Sequence, residues 1–214
     1  DARKDLKPVA ELGRSYMVMV AHPGVPAGNL KELIAYAKTN RGKLSYASYS
    51  AGTISHYAGL VLNQKEGLDL LHVPYKGSPP GLTDVLAGQV QLMFDGVVTS
   101  LPLIKSGKLK AFAVSTTARS GLLPQIPTFA ELGYGDLNFY NWIGVVASAK
   151  MAPELIARIH GELVKSAAAP KTRERIAELG FEHSPVSTPA QLGELLRKDS
   201  ERNADIVKTF NIKF

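Results

Sequence analysis

Residues 44–57 read Leu-Ser-Tyr-Ala-Ser-Tyr-Ser-Ala-Gly-Thr-Ile-Ser-His-Tyr, and this stretch carries two different periodicities. The pattern over residues 44–49 predicts a short β-strand, which Ser50, Ala51 and Gly52 interrupt. Apolar side chains then recur at the spacing of one helix face, at Ile54, Tyr57, Ala58, Val61 and Leu62. The sequence therefore predicts a strand that leads into a helix through a turn rich in hydroxyl groups.

This turn is a candidate anion site. The first N–H groups of a helix have no partner within the helix and carry partial positive charge, so they attract a negatively charged group. A simpler interpretation is an ordinary N-cap, in which Ser50 or Thr53 satisfies the helix and binds nothing else. Turns at 76–78 and 95–99 also follow predicted strands, and ligands of parallel sheets bind at the carboxyl ends of strands. From these residues alone, both interpretations remain open.

Residues 22–140 alternate between predicted strands and predicted helices. Repeated strand–helix units of this length predict an α/β fold with a mainly parallel sheet that helices cover on both faces. We therefore predict that residues 22–140 form one complete α/β lobe. Its strands are expected at residues 44–49, 68–73, 90–94 and 109–115.

The segments on either side of this lobe have a different character. Strand patterns occur at 16–21 and 139–146, and three helix patterns follow residue 150 with hardly any strand to cover their apolar faces. We predict that residues 1–21 and 141–214 contribute hinge strands and part of a second lobe, whose sheet is completed by a missing segment or by a partner chain. Two connections between lobes are typical of a hinged clamshell that closes over its ligand.

The composition argues against several classes of function. The 214 residues include no cysteine, which excludes disulfides, thiol nucleophiles and cysteine-ligated zinc, and the histidines lack metal-ligand spacing. The net charge of +6 is spread along the chain without a basic stripe, which argues against a nucleic acid partner. No run of about 18 apolar residues is present to cross a membrane. No signal peptide is visible at the start, although a mature secreted protein would look the same.

Five segments of the chain, taken in order, match one known family. They read Ser-Tyr-Ser-Ala-Gly-Thr-Ile-Ser-His (48–56), His-Val-Pro-Tyr-Lys-Gly (72–77), Asp-Val-Leu-Ala-Gly-Gln-Val-Gln-Leu-Met-Phe-Asp (84–95), Leu-Pro-Gln-Ile-Pro-Thr-Phe-Ala-Glu-Leu-Gly (123–133) and Trp-Ile-Gly (142–144). With these segments the chain resembles the Bug-type receptors, the periplasmic solute-binding proteins of tripartite tricarboxylate transporters. The resemblance covers essentially the whole chain.

The resemblance implies two α/β lobes of the type II periplasmic-binding fold, with a carboxylate ligand held between two loops. Residues 48–55 correspond to one loop, whereas the other, a glycine-rich turn of the N-terminal lobe, has no counterpart here. The resemblance therefore also implies that the sequence lacks an N-terminal portion. Ser50 and Thr53 stand where the family usually has glycine and then serine. The implied function is a periplasmic receptor that delivers an amino acid, a dicarboxylate, a tricarboxylate or an aromatic acid to the membrane components of the transporter.

Backbone N–H groups and hydroxyls can bind a carboxylate without any change of protonation. Lys76 is either an additional charge for a second carboxylate or a solvated surface residue. Asp95 either accepts from a ligand hydroxyl or amine, or caps the next helix. His56 is expected to bond within the fold. The predicted ligand-binding residues are Ser48, Ser50, Gly52, Thr53, Ser55, Tyr75, Lys76 and Asp95.

Two other classes of function are less favoured by the sequence than a receptor. An enzyme is not expected, because the motifs of serine hydrolases, P-loops and dinucleotide sites are missing and no carboxylate pair stands out. No cofactor is expected either. The stronger alternative is the effector-binding domain of a LysR-type transcription regulator, which shares the type II fold and is close to this length. Exposed apolar helix faces would favour a dimer or an exchange of domains between copies of the chain.

Overall fold

The computed structural model describes residues 2–181 and 186–212. Its strands are β1 (Leu6–Ala21), β2 (Ser45–Ser48), β3 (Leu71–Pro74), β4 (Leu92–Gly96), β5 (Lys110–Val114) and β6 (Tyr140–Ser148). Its α-helices are α1 (Ala2–Asp5), α2 (Leu30–Thr39), α3 (Ile54–Glu66), α4 (Ser78–Leu86), α5 (Val97–Lys105), α6 (Pro153–Ala168), α7 (Pro170–Glu178) and α8 (Pro189–Thr209). A single 3₁₀ turn, Gly135–Leu137, precedes β6.

The chain divides into two compact units. The sheet unit consists of Tyr16–Tyr140 and Val207–Phe214, and the helical unit consists of Asp1–Ser15 and Asn141–Ile206, as far as these residues are described. The first boundary predicted from the sequence follows residue 21, whereas this division falls after Ser15, because the second half of β1 belongs to the sheet unit. The assignment of the units to one complete and one partial lobe stays a prediction.

The strands lie in the order β3, β2, β4, β1, β5, and β6 also pairs with β1. β2 runs parallel to both β3 and β4, as the strand–helix pattern predicts. β1 is the exception in this mainly parallel sheet, because it runs antiparallel to both β4 and β5.

The sheet is buried on both faces, as the pattern of strands and helices predicts. Met17, Val18, Met19, Val20 and Ala21 have no exposed area. Alternate residues of β1 belong to two separate apolar clusters, because successive side chains of a strand point to opposite faces. Apolar side chains of α2 and α3 complete one cluster, and those of α4 and α5 complete the other.

β3 is shorter than predicted and begins later, at Leu71 instead of residue 68. The side chain of Asn63 explains the late start. Its amide nitrogen donates to the Leu70 carbonyl at 3.0 Å, and its amide oxygen accepts from the Leu70 N–H at 3.1 Å. Because these bonds occupy both backbone groups of Leu70, pairing with β2 begins at the next residue.

The helical unit has a small core in the part that the structure describes. Val9, Ala147 and Ile156 form its buried apolar cluster. Several large apolar side chains stay exposed, including Ile143 at 48% and Leu155 at 46%. Two grooves of about 750 and 450 Å³ lie within this unit, and they contain none of the predicted ligand-binding residues. Among the described residues, no helix combines the length and the apolar character needed to cross a membrane.

Candidate ligand-binding site

The predicted turn lies between the end of β2 at Ser48 and the start of α3 at Ile54. The carbonyl oxygen of Ser50 is its central acceptor. It receives the Ser48 hydroxyl at 3.1 Å, the Thr53 hydroxyl at 2.8 Å and the Thr53 N–H at 3.4 Å. The hydroxyls of Ser48 and Thr53 are therefore used within the turn, while the Ser50 side chain is exposed.

Gly52 has a backbone conformation that favours glycine, with φ at +75°. Its N–H donates to Nδ1 of His56 at 3.1 Å. This bond crosses from the turn to the first turn of α3 and holds the two together. The prediction that Gly52 forms part of the turn is consistent with this geometry, although its N–H has a partner within the protein.

The start of α3 presents backbone N–H groups with no partner. Thr53 is the N-cap residue and makes no side-chain capping bond to the helix. The N–H groups of Ile54, Ser55 and His56 have no acceptor among the described residues. Such groups carry the positive end of the helix dipole and point out of the helix end. They are therefore the donors that remain available to a bound anion.

Ser55 and Asp95 are both completely buried, and both bond within the protein. The Ser55 hydroxyl donates to the carbonyl of Phe94, which ties α3 to β4. The Asp95 carboxylate accepts the hydroxyls of Thr99 and Ser100, each at 2.6 Å, at the start of α5. Both donors are side-chain hydroxyls, and no side chain caps α5, whose N-cap residue is Gly96.

Tyr49 is a connecting residue that the sequence analysis did not identify. Its hydroxyl donates to Asp95 at 2.9 Å and accepts the N–H of Gly96. Burial, followed by the nearby Asp95 charge, raises the pKa of Tyr49 above its ordinary value. The aromatic residue at the end of the predicted strand was visible in the sequence, but its partner lies in a distant strand. The bond therefore joins the ends of β2 and β4.

Tyr75 and Lys76 lie in the loop after β3, which is bonded directly to the predicted turn. The Tyr75 N–H donates to the Ser48 carbonyl and the Gly77 N–H donates to the Tyr49 carbonyl, both at 2.9 Å. The Tyr75 hydroxyl donates to Asp84 at 2.6 Å, and burial together with this bond raises its pKa to about 12. Lys76 is exposed, with no bonded acceptor among the described residues.

Two histidines stack beside the turn, and the sequence analysis did not pair them. The ring centroids of His56 and His72 are 3.7 Å apart and the rings are 11° from parallel. Nε2 of His72 lies 2.6 Å from the Ser48 hydroxyl oxygen. Burial lowers the pKa of both rings, and the neighbouring His56 contributes to a pKa of about 4 for His72. The contact depends on β3 lying beside β2, so no sequence spacing reveals it.

Thr116 is a second residue that the sequence analysis did not identify. It follows β5, whose carboxyl end lies at the same edge of the sheet as those of β2 and β4. Its hydroxyl oxygen is buried and has no partner among the described residues. The same described residues contain no group of three His, Cys, Asp or Glu that could hold a metal ion.

Comparisons with known proteins agree with the resemblance. A family model described as "Tripartite tricarboxylate transporter family receptor" matches residues 1–212. BugT of Bordetella pertussis is 29% identical over 211 residues, which make up 98% of this chain and 64% of BugT. The chain thus spans less than two thirds of the length of this relative.

Three solved structures share the fold over nearly the entire chain. One, described as a periplasmic transporter, is 31% identical with a TM-score of 0.92, covering 100% of this chain and 71% of that one. Rpa4515 of R. palustris, solved with adipate, is 26% identical with a TM-score of 0.91, covering 99% and 71%. MatC from Rhodopseudomonas palustris, solved with bound malate, is 28% identical with a TM-score of 0.82, covering 96% and 70%.

These matches confirm the predicted fold class, an α/β fold of the type II periplasmic-binding kind. The family model extends over nearly every residue, including all five segments on which the resemblance was based. The chain therefore belongs to the receptor family of the tripartite tricarboxylate transporters.

Proposed function

We propose that the protein binds a small carboxylate at the turn formed by residues 48–53 and at the first N–H groups of α3. The observation that carries this proposal is the set of unpaired N–H groups of Ile54, Ser55 and His56. A carboxylate accepts several such donors without any change in its own protonation. Adipate and malate, the ligands of two similar structures, are both carboxylates.

The other predicted groups have different roles in this proposal. The hydroxyls of Ser48 and Thr53 shape the turn through the Ser50 carbonyl. Lys76, which is exposed, remains the candidate for a second carboxylate group of the ligand. The closing of a clamshell over the ligand stays a prediction from the sequence.

We further propose that the protein acts in the periplasm and delivers its ligand to the membrane components of a tripartite tricarboxylate transporter. The description of the family as a transporter receptor supports this proposal. The net charge of +6 assists the attraction of an anionic ligand. A dimer or a domain exchange through the exposed apolar surface of the helical unit also stays a proposal.

The alternatives are less well supported. The family model describes a transporter receptor, which does not favour the effector-binding domain of a LysR-type regulator. The family description names a receptor and does not name an enzyme. Turnover of a bound acid would be the sign of catalysis.

A proline at the first position of α3 tests the proposed donors. Proline is tolerated at this position because it keeps the helix and removes one N–H group. Thr53, which would precede it, already has the extended conformation that proline requires, with φ at −81° and ψ at 163°. We expect Ile54→Pro to weaken binding of malate or adipate about tenfold, the effect of losing one hydrogen bond to a charged group.

Ile54→Ala is the matched control, because it removes the same side chain and keeps the N–H group. Calorimetry on the protein expressed from its full reading frame measures both affinities. Equal affinities of the proline and alanine variants would contradict the proposed role of the α3 N–H groups.

A further inference from the structure

The stacked pair of His56 and His72 contacts the turn from two sides. His56 lies in the first turn of α3 and accepts the Gly52 N–H at Nδ1, at 3.1 Å. His72 lies on β3 and places Nε2 at 2.6 Å from the Ser48 hydroxyl oxygen. In the sequence, the two contacted residues lie on either side of Ser50, whose carbonyl accepts the hydrogen bonds that close the turn. The stack therefore joins both ends of the turn.

The bond to Gly52 requires a neutral ring at His56. Only an unprotonated Nδ1 can accept an N–H group, and a proton there would set two donors against each other. A charged ring would also lie at the positive end of α3. The ring of His72, 3.7 Å away, would face that charge directly. Proton uptake at Nδ1 of His56 is therefore expected to break its bond to the turn.

The groups around the pair offer no compensation for a positive charge. The ring of Tyr46 on β2 lies 5.1 Å from that of His72, and its hydroxyl donates to the backbone carbonyl of His56. Among the described residues, no carboxylate bonds to either imidazole. Burial lowers the pKa of both rings, which agrees with this environment.

We propose that His56, stacked on His72, is a positioning residue that holds turn 48–53 in its anion-binding form only while the His56 ring is neutral. This inference rests on the proposed function, since the turn is the proposed carboxylate site. It predicts that the affinity of the receptor for a carboxylate falls at acidic pH. Neither histidine contacts the ligand through its side chain in this account, and each acts through the turn.

Hydrogen exchange of the Gly52 amide reports on the turn without any ligand. We expect its protection factor, corrected for the intrinsic rate at each pH, to fall about fivefold between pH 7.5 and pH 4, the effect of one net hydrogen bond. His56→Leu should show the same loss already at pH 7.5. His56→Asn places an amide oxygen near the position of Nδ1 and should keep the protection at both pH values.

The Gly77 amide is the internal control, because it donates to the Tyr49 carbonyl at the same edge of the sheet and contacts neither histidine. Its protection should be the same at both pH values. Equal Gly52 protection at the two pH values in the parent, or an equal loss in His56→Asn, would overturn the inference.

Calorimetry with malate at pH 7.5 tests the proposed function separately. If malate and adipate fail to bind while Gly52 protection depends on pH as expected, the carboxylate site is wrong and the histidine-controlled turn remains. If they bind while Gly52 protection is independent of pH, the carboxylate site remains and the role of the histidines is wrong.

Discussion

The carbonyl of Ser50 organises the candidate site at the scale of single residues. It accepts three donors from Ser48 and Thr53, so the hydroxyls that the sequence offers as ligand donors are used to shape the turn. The groups left to a ligand are backbone N–H groups of α3. Under the proposed function, affinity depends on the shape of the turn more than on any single side chain.

Thr53 offers a direct test of this division of roles. Thr53→Ala removes the bond of 2.8 Å to the Ser50 carbonyl. We expect the free energy of unfolding to fall by about 1 kcal/mol, and malate binding to weaken several-fold because the turn loosens. Thr53→Ser keeps the hydroxyl and should restore both quantities, measured by urea denaturation and calorimetry. Parental affinity in Thr53→Ala would remove this residue from the site.

The sequence predicted the position of the turn but not the use of each side chain. The spacing of apolar residues was enough to place the end of β2 and the start of α3. The partners of Ser55, Asp95 and His72 lie on other elements, so their bonds depend on which strands become neighbours. Tyr49 was missed for the same physical reason.

At the scale of elements, α3 packs closely on β2 because Gly59 has no side chain. A Cβ atom at Gly59 would lie 2.2 Å from two ring atoms of Tyr46. We expect Gly59→Ala to lower the free energy of unfolding by about 1–3 kcal/mol, the usual effect of overpacking a core. Denaturant unfolding of the purified variant measures this change.

Gly161 in α6 is the matched control for the same substitution. Nothing lies within 4 Å of a Cβ atom at that position. Gly161→Ala should raise the free energy of unfolding by about 0.5–1 kcal/mol, because alanine is the better helix former. A destabilisation at Gly161 as large as that at Gly59 would show that close packing against Tyr46 is not the cause.

Elements with a clear spacing of apolar residues were predicted well from the sequence. The differences at β3 and β1 have specific causes. β2 and α3 lie where the pattern places them. β3 starts late because the Asn63 side chain occupies the backbone of Leu70. The direction of β1 was not predicted, since period-2 burial on both faces does not distinguish a parallel from an antiparallel neighbour.

At the scale of the whole molecule, the histidine pair makes stability depend on pH. An imidazole in the unfolded chain takes up its proton near pH 6.5, whereas the pKa of His72 in the fold is about 4. Between these values the unfolded state binds more protons, so stability falls as the pH is lowered from about 6.5 towards 4.

The melting temperature of the protein between pH 8 and pH 4 measures this dependence. His72→Gln keeps a polar group near Nε2 without a titrating ring, and its melting temperature should fall less steeply between pH 6.5 and 4. The hydrogen bond from Lys38 lowers the pKa of Glu66 below its ordinary value of 4.5. Glu66 therefore contributes to the pH dependence of both proteins, but only as the pH falls towards and below 4.5. Equal slopes for the two proteins would contradict the assignment to His72.

A crystal structure of the receptor with malate, prepared from the full reading frame, would show whether the α3 N–H groups bind the ligand. The account predicts a carboxylate group of malate about 3 Å from the N–H groups of Ile54, Ser55 and His56, the distance of a charge-assisted hydrogen bond. A malate bound elsewhere, with these N–H groups facing only solvent, would contradict the account.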